Sequence, residues 1–221
     1  VSKFVSAKEG PHRTVIYTDS EGREFEYAKG DRAWRNNNPG NLVSGNVSRR
    51  NNQIGKAGGF AVFPDYETGH RALLDCLNTT FINSMLKTLI KVYAPKHENN
   101  TASYLKHILN KVGVTKDTKV KDLTPKQFEK LWQAIELMEG PKKGTIKELP
   151  AKLKITRVKK NKKGTIVGYF IPEIDWVSKI KGIQLAKAGK IDAVIAKSRN
   201  GNFFLRTKPD VIVENNLKSL G

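Results

Sequence analysis

Polar and apolar positions along the chain alternate with two different periods. Thr14-Val15-Ile16-Tyr17 and Glu24-Phe25-Glu26-Tyr27 flank the turn-forming Asp19-Ser20-Glu21-Gly22, which predicts a hairpin over Thr14–Tyr27. An Asn- and Gly-rich stretch from Arg35 to Gly59 reads as loop, and Phe60-Ala61-Val62-Phe63 as a short strand ended by Pro64. From Asp65 the period changes to that of a helix. Tyr66, His70, Leu73, Leu74 and Leu77 form one stripe behind Asp65 as cap, and Met85, Leu86, Leu89, Ile90 and Tyr93 form a second. A third helix is predicted from Thr101 to Gly113 on Tyr104, Leu105, Ile108 and Val112. A fourth begins at the capping box Thr124-Pro125-Lys126-Gln127, buries Phe128, Leu131, Trp132, Ile135 and Met138, and ends at Gly140-Pro141.

Beyond Leu149 the pattern becomes strand, strand, helix, strand, strand. Lys152–Lys159 and Thr165–Ile171 are joined by Asn161-Lys162-Lys163-Gly164. A helix is expected from Asp175 to Gly189. Ile191–Lys197 and Asn202–Thr207 meet at Arg199-Asn200-Gly201. A boundary near Glu148–Ala151 therefore separates residues 1–148 from a small ββαββ domain at 149–221.

Composition sharpens this division. The 221 residues carry a net charge of +19. From Leu149 onward sixteen Lys and Arg face five Asp and Glu, a net +11, against +8 for the twice longer remainder. Such a charge calls for a polyanionic partner: nucleic acid, an anionic membrane or the bacterial cell wall. No apolar run is long enough to span a bilayer. The single Cys76 excludes an internal disulfide. The chain opens on Val1 without a charged-then-apolar leader, so a fragment or a processed form is expected, and export would need another carrier. There is no zinc-spaced Cys/His cluster, phosphate-binding glycine loop or nucleophile elbow, and nothing points to a metal or a cofactor.

Four ordered blocks stand out: Trp34-Arg35-Asn36-Asn37-Asn38-Pro39-Gly40-Asn41-Leu42, Gly59-Phe60-Ala61-Val62-Phe63-Pro64-Asp65-Tyr66-Glu67-Thr68-Gly69, Tyr93-Ala94-Pro95-Lys96-His97-Glu98-Asn99-Asn100-Thr101, and Met138-Glu139-Gly140-Pro141-Lys142-Lys143-Gly144-Thr145-Ile146. In this order and spacing the chain resembles the muramidase-like, peptidoglycan-degrading domains found on phage virions and linked to secretion systems. Lys96 departs from the family, whose members often carry proline there. The resemblance implies an α+β fold, mainly helical and lysozyme-like with a small β-hairpin region. It also implies peptidoglycan as partner, in a phage tail or a delivered antibacterial toxin acting at the cell wall or in the periplasm; a toxin would need an immunity protein in its producer. Ser198–Asp210 and Asn215-Asn216-Leu217 resemble a small uncharacterised bacterial domain, which implies no function.

Glycoside hydrolysis needs a carboxylic acid that stays protonated near neutral pH, and usually a second carboxylate. Glu139 is the first choice for the acid. It lies four residues after Ile135 on the apolar stripe, at a helix C-terminus, and both burial and the macrodipole raise a carboxyl pKa. Glu129 and Glu136 lie off that stripe. The plainer alternative is a frayed helix end with a solvated Glu139. Glu67, in a first helical turn, suits a base or a simple helix-start charge, and Glu98 suits either chemistry or ordering of the Asn99-Asn100-Thr101 cap. Asn37, Asn38 and Asn41 can grip sugar hydroxyls and acetamido groups or bond their own backbone. Trp34 can stack on a sugar ring, and Tyr66 completes the candidate contacts. His70 and Cys76 read as packed core residues.

Two readings from other classes remain open. The first unit could bind peptidoglycan without cutting it. The Lys159-Lys160-Asn161-Lys162-Lys163 turn, with Tyr169, Trp176, Phe203 and Phe204, could direct the chain to nucleic acid, which is not favoured because these aromatics fall at positions a core would use.

Overall fold

The computed structural model describes residues 4–93, 101–198 and 201–206. Contacts divide the chain into two units, Val1–Leu149 and Pro150–Gly221. In the first, strand β1 (Ser6–Glu9) pairs antiparallel with β2 (Val15–Thr18), which pairs with β3 (Glu24–Ala28). Period-2 alternation sends Val15 and Tyr17 into the interior. There Tyr17 meets Phe4 and Tyr27, each with ring centroids 4.6 Å away. The short helices α1 (Arg32–Arg35) and α2 (Asn46–Arg50) follow, then β4 (Gly55–Ala57) and β5 (Phe60–Val62). Four helices come next: α3 (Tyr66–Thr79), α4 (Leu86–Tyr93), α5 (Thr101–Val112) and α6 (Pro125–Glu139). Strand β6 (Thr145–Glu148) then returns to pair with β3. The sheet order is β5-β4-β1-β2-β3-β6, antiparallel except where β4 lies along β1.

A mainly helical, lysozyme-like domain with a small hairpin region is therefore overturned. The α+β character holds, but the predicted hairpin forms part of a six-stranded sheet. The added strands escape pattern reading for a physical reason. Ser6–Glu9 and Thr145–Glu148 are largely or wholly exposed, so no buried face imposes alternation, and Gly55–Ala57 is only three residues long. Backbone pairing with neighbours defines such strands more than side-chain burial does.

The four longer helices form where the stripes predict, while α1 was not expected and α2 and β4 lie in the stretch read as loop. Asp65 Oδ1 caps α3 by accepting from Thr68 N at 2.8 Å, and Thr124 and Gln127 close the capping box of α6. Leu73, Leu77, Leu89, Ile108, Leu131 and Ile135 are fully buried in one helical core. Met138, expected on the buried stripe, is instead 39% exposed, one residue before the end of α6.

A loop from Asn36 to Leu42 joins sheet to helices, and its asparagines are mostly structural. Asn36 Nδ2 reaches the carbonyls of Ala57 and Ala61, and Asn37 Nδ2 that of Phe63 at 3.2 Å. Asn38 is fully buried. Its Nδ2 donates to Leu42 O and Ala61 O, and its Oδ1 accepts from Leu42 N, all at 2.9 Å. A Cβ at Gly69 would come within 1.9 Å of Asn37 O, so only glycine lets α3 approach this loop. Gly140 serves similarly at the end of α6. Its φ of +94° is left-handed, and a Cβ there would meet the Asp31 carboxylate at 2.6 Å.

In the second unit β7 (Arg157–Lys160), β8 (Ile166–Ile171) and β9 (Asp175–Ser178) form one antiparallel sheet. Helix α7 (Lys179–Lys187) follows, then the antiparallel pair β10 (Val194–Lys197) and β11 (Phe203–Arg206). The order is βββαββ, which corrects ββαββ. Asp175 does not cap a helix. It takes a left-handed φ of 82° after the turn at 172–174 and opens a strand, and Ser178 is the cap, accepting from Lys181 N at 3.2 Å. Buried Tyr169 ties the two sheets together, its hydroxyl accepting from Leu205 N at 3.0 Å. The expected turn residues Arg199 and Asn200, and Thr207, Lys208, Pro209, Asp210, Asn215, Asn216 and Leu217 of the second resemblance, lie outside the described residues.

Replacing Asn38 should show how much the loop depends on its amide. Asn38→Ala strands the Leu42 amide and removes one of two bonds from the Leu42 and Ala61 carbonyls, and should cost about 2 kcal/mol. Chemical denaturation checks this against Asn46→Ala, an exposed control expected to change stability by less than about 0.5 kcal/mol.

Candidate active site

Glu139 closes α6, and its half-buried carboxyl meets two donors from other elements. Asn41 Nδ2 donates to Oε2 at 2.8 Å, and Tyr104 Oη donates to Oε1 at 2.9 Å. Tyr104 comes from α5, packed along α6, and is itself buried. Burial pushes the Glu139 carboxyl above the ordinary carboxylate range. The bonds from Asn41 and Tyr104 and the charge of Arg32 oppose that rise without cancelling it. The same desolvation, with the carboxylate alongside, pushes the Tyr104 hydroxyl far up. Tyr93 Oη is buried and also feels the Glu139 charge.

One turn earlier on α6 stands Glu136, off the apolar stripe in the sequence. Its two oxygens are taken by α3: Tyr66 Oη donates to Oε2 at 2.7 Å, and His70 Nδ1 lies 2.7 Å from Oε1. His70 packs edge-on against Trp132, with centroids 4.6 Å apart. It is a packed histidine, as expected, but one that also orients a carboxylate. The sequence carried no signal for this arrangement, because both partners lie on a helix more than sixty positions away.

The other candidates fall at varied distances from this pair of acids. Asn41 contacts Glu139, and Tyr66, half-exposed, contacts Glu136. Asn37 and Asn38 spend their amides on the backbone of the Phe60–Phe63 region. Trp34 is half-buried, its ring 5.1 Å from that of Tyr27. Glu67 is exposed in the first turn of α3. Glu98, with Asn99 and Asn100, lies outside the described residues. Cys76 is buried, and burial raises its thiol, which suits packing rather than nucleophilic attack. Among the described residues no group of three or more His, Cys, Asp or Glu is gathered to hold a metal ion, and no helix is long and apolar enough to cross a membrane.

Residues 154–221 match the model of a family of proteins of unknown function, DUF3892. No curated protein and no solved structure matches the chain. The family match covers most of the second unit and leaves the first to be read from its own residues.

The second unit shows part of its aromatic set at the surface, against the expectation of core packing. Trp176 is 46% and Phe203 49% exposed, while Tyr169 is buried. The exposed rings already carry cations. The Arg157 guanidinium sits 3.9 Å from the Phe170 centroid and 5.7 Å from that of Trp176, and the Lys187 and Lys197 ammonium groups each sit 5.8 Å from Phe203. A base stacking on these rings would first have to displace the chain's own cations.

Two measurements probe the acid. Tyr104→Phe removes a bond that favours the carboxylate, so the Glu139 titration midpoint, read by carboxyl ¹³C NMR, should move further up. A raised folded-state pKa means that the native state holds a proton the unfolded chain has released. This contribution to stability is complete below the ordinary glutamate value of about 4.3 and is lost as pH rises through the raised value. Glu139→Gln should therefore gain thermal stability over the wild type at pH 8, and that gain should shrink toward acid pH.

Proposed function

We propose that the first unit is a glycosidase acting on the glycan of bacterial peptidoglycan, with Glu139 as proton donor. The observation that carries this reading is a half-buried carboxyl whose pKa is raised by desolvation, held in fixed orientation by Asn41 and Tyr104. A general acid needs this combination: a proton retained toward neutral pH, and a geometry that does not have to be found anew in each turnover. The ordered motif blocks add the substrate, since two of them, at 34–42 and 138–146, supply Asn41 and Glu139.

Glu139 would protonate the glycosidic oxygen as the bond to the anomeric carbon breaks. A second carboxylate would then activate water or attack that carbon. Glu136 is the stronger described candidate for the second role. It stands three residues back on the same helix, where Cβ atoms are about 5–6 Å apart, and Tyr66 and His70 hold it. Glu67, exposed and outside this arrangement, suits a helix-start charge better. Action at the wall would follow phage or toxin delivery, and a toxin would be accompanied by a protective partner in its producer. The basic second unit would favour association with the anionic wall.

Purified peptidoglycan incubated with the full chain, with soluble products read by mass spectrometry, tests this reading. Reducing-end muropeptides are expected, falling by about 100-fold or more in Glu139→Gln, strongly in Glu136→Gln and little in Glu67→Gln. Glu98→Gln reports on the remaining candidate. Anhydro ends would change the reaction to lytic transglycosylation, and released stem peptides to an amidase or peptidase. Wall binding without any soluble product would overturn the enzymatic reading in favour of a binding module.

A further inference from the structure

A second feature of the first unit is a cleft of about 560 Å³, within the size range of small-ligand sites. Three guanidinium groups line it: Arg13 from the turn between β1 and β2, and Arg32 and Arg35 from α1. Two acids line it as well, and both already accept backbone N–H groups. Glu9 Oε2 takes Gly58 N at 3.1 Å, and Asp31 Oδ2 takes Lys142 N at 3.0 Å. None of the three arginines forms an ion pair with a carboxylate among the described residues.

The arginines are held in place by the fold. Arg32 lies over Phe60, its guanidinium carbon 4.0 Å from the ring centroid. Arg35 donates to Gly30 O, and its Nε is buried with no hydrogen-bond partner among the described residues. His12 and Arg13 both adopt left-handed φ, 53° and 61°, a backbone conformation that non-glycine residues reach only at a cost and that turns Arg13 toward the cleft. Burial lowers the Arg35 pKa, the like charges of Arg32 and Arg13 add to that effect, and the charge of Asp31 partly opposes it. Three neighbouring cations, none in ion-pair contact with a carboxylate among the described residues, leave an electrostatic arrangement that an anion would complete.

We propose that this cleft binds a short carboxylate-bearing peptide, the stem peptide of the peptidoglycan strand whose glycan is cut at Glu139. The inference rests on the glycosidase reading for its choice of ligand. Arg32 links the two features: it lines the cleft, and its charge acts on the Glu139 carboxyl. A peptide fits the lining better than a simple phosphate does, because Glu9 and Asp31 each bond a backbone N–H through one oxygen only, and the other oxygen can take an ammonium group such as a stem carries beside its carboxylates.

The test is calorimetric and uses the full chain carrying Glu139→Gln, so that no turnover intrudes and no change at Arg32 acts through the acid. The probes are a disaccharide-tetrapeptide, the same disaccharide without peptide, and a glycerol-phosphate oligomer. The peptide-bearing probe should bind about tenfold or more tightly than the bare disaccharide, with an advantage that falls as salt rises. Arg13→Gln and the exposed Arg32→Gln should each remove most of that advantage. Equal binding of the two sugars, or an advantage that survives both substitutions, would overturn the proposal. So would a glycerol-phosphate oligomer that binds as tightly as the muropeptide and competes with it. An arginine-dependent peptide advantage in a protein that releases no glycan products would defeat the glycosidase reading and leave the peptide site standing. Glycan cleavage without a peptide advantage would do the reverse.

Discussion

Irregular backbone can be buried only where its N–H and C=O groups find partners. The loop from Asn36 to Leu42 meets that condition partly with backbone bonds and partly with side-chain amides. Asn36, Asn37 and Asn38 bond the carbonyls of Ala57, Ala61, Phe63 and Leu42, joining the loop to the Phe60–Phe63 strand region. Gly69 brings α3 against the same loop. Asn41, the last asparagine of the run, is thereby fixed over the end of α6, where its amide reaches the Glu139 carboxyl. The acid's geometry thus depends on three amides that need never touch a substrate.

At Glu139 two tendencies compete. Hydrogen bonds to a carboxylate favour the charged form, and Asn41, Tyr104 and Arg32 all act in that direction. Desolvation favours the neutral form and prevails, because two donors replace only part of the hydration that a carboxylate loses on burial. Position reinforces the outcome, since the last carbonyls of α6 present their negative ends at this terminus. Glu136, three residues earlier, is held instead by a tyrosine hydroxyl and a histidine ring. Two carboxyls on one helix therefore meet partners from different elements.

Helices with a buried stripe were legible from the sequence because burial imposes the period: Leu73 and Leu77 in α3, and Leu131 and Ile135 in α6, are all fully buried. The capping residues Asp65 and Thr124 were legible for a local reason, their bonds lying within three residues. Strands β1 and β6 were not, since their positions follow from backbone pairing with β2 and β3 rather than from their own mostly exposed side chains. In the site, Glu139 could be singled out because its stripe lies along its own helix. Its contacts with Asn41, 98 positions away, and Tyr104, 35 away, could not. Glu136 was passed over for the same reason: its partners come from another element, and a polar residue off a stripe looks solvated until its neighbours are known.

The net charge of +19 does two separate things. Exposed lysines, such as Lys159, Lys162 and Lys163 of the second unit, sit in water, where salt screens them within about 8–10 Å. Such charges raise the rate of encounter with an anionic surface and bring little selectivity of their own. Arg35, half-buried with its Nε shut away from water, cannot be screened in that way, and Arg32 is fixed over an aromatic ring. Charges held like these distinguish one anion from another by shape, because a ligand must bring its oxygens to them. A chain that only needed to adhere to a polyanion would have no use for guanidinium groups fixed by a left-handed turn and an aromatic platform. Their cost is understandable if the cleft selects what lies beside the acid.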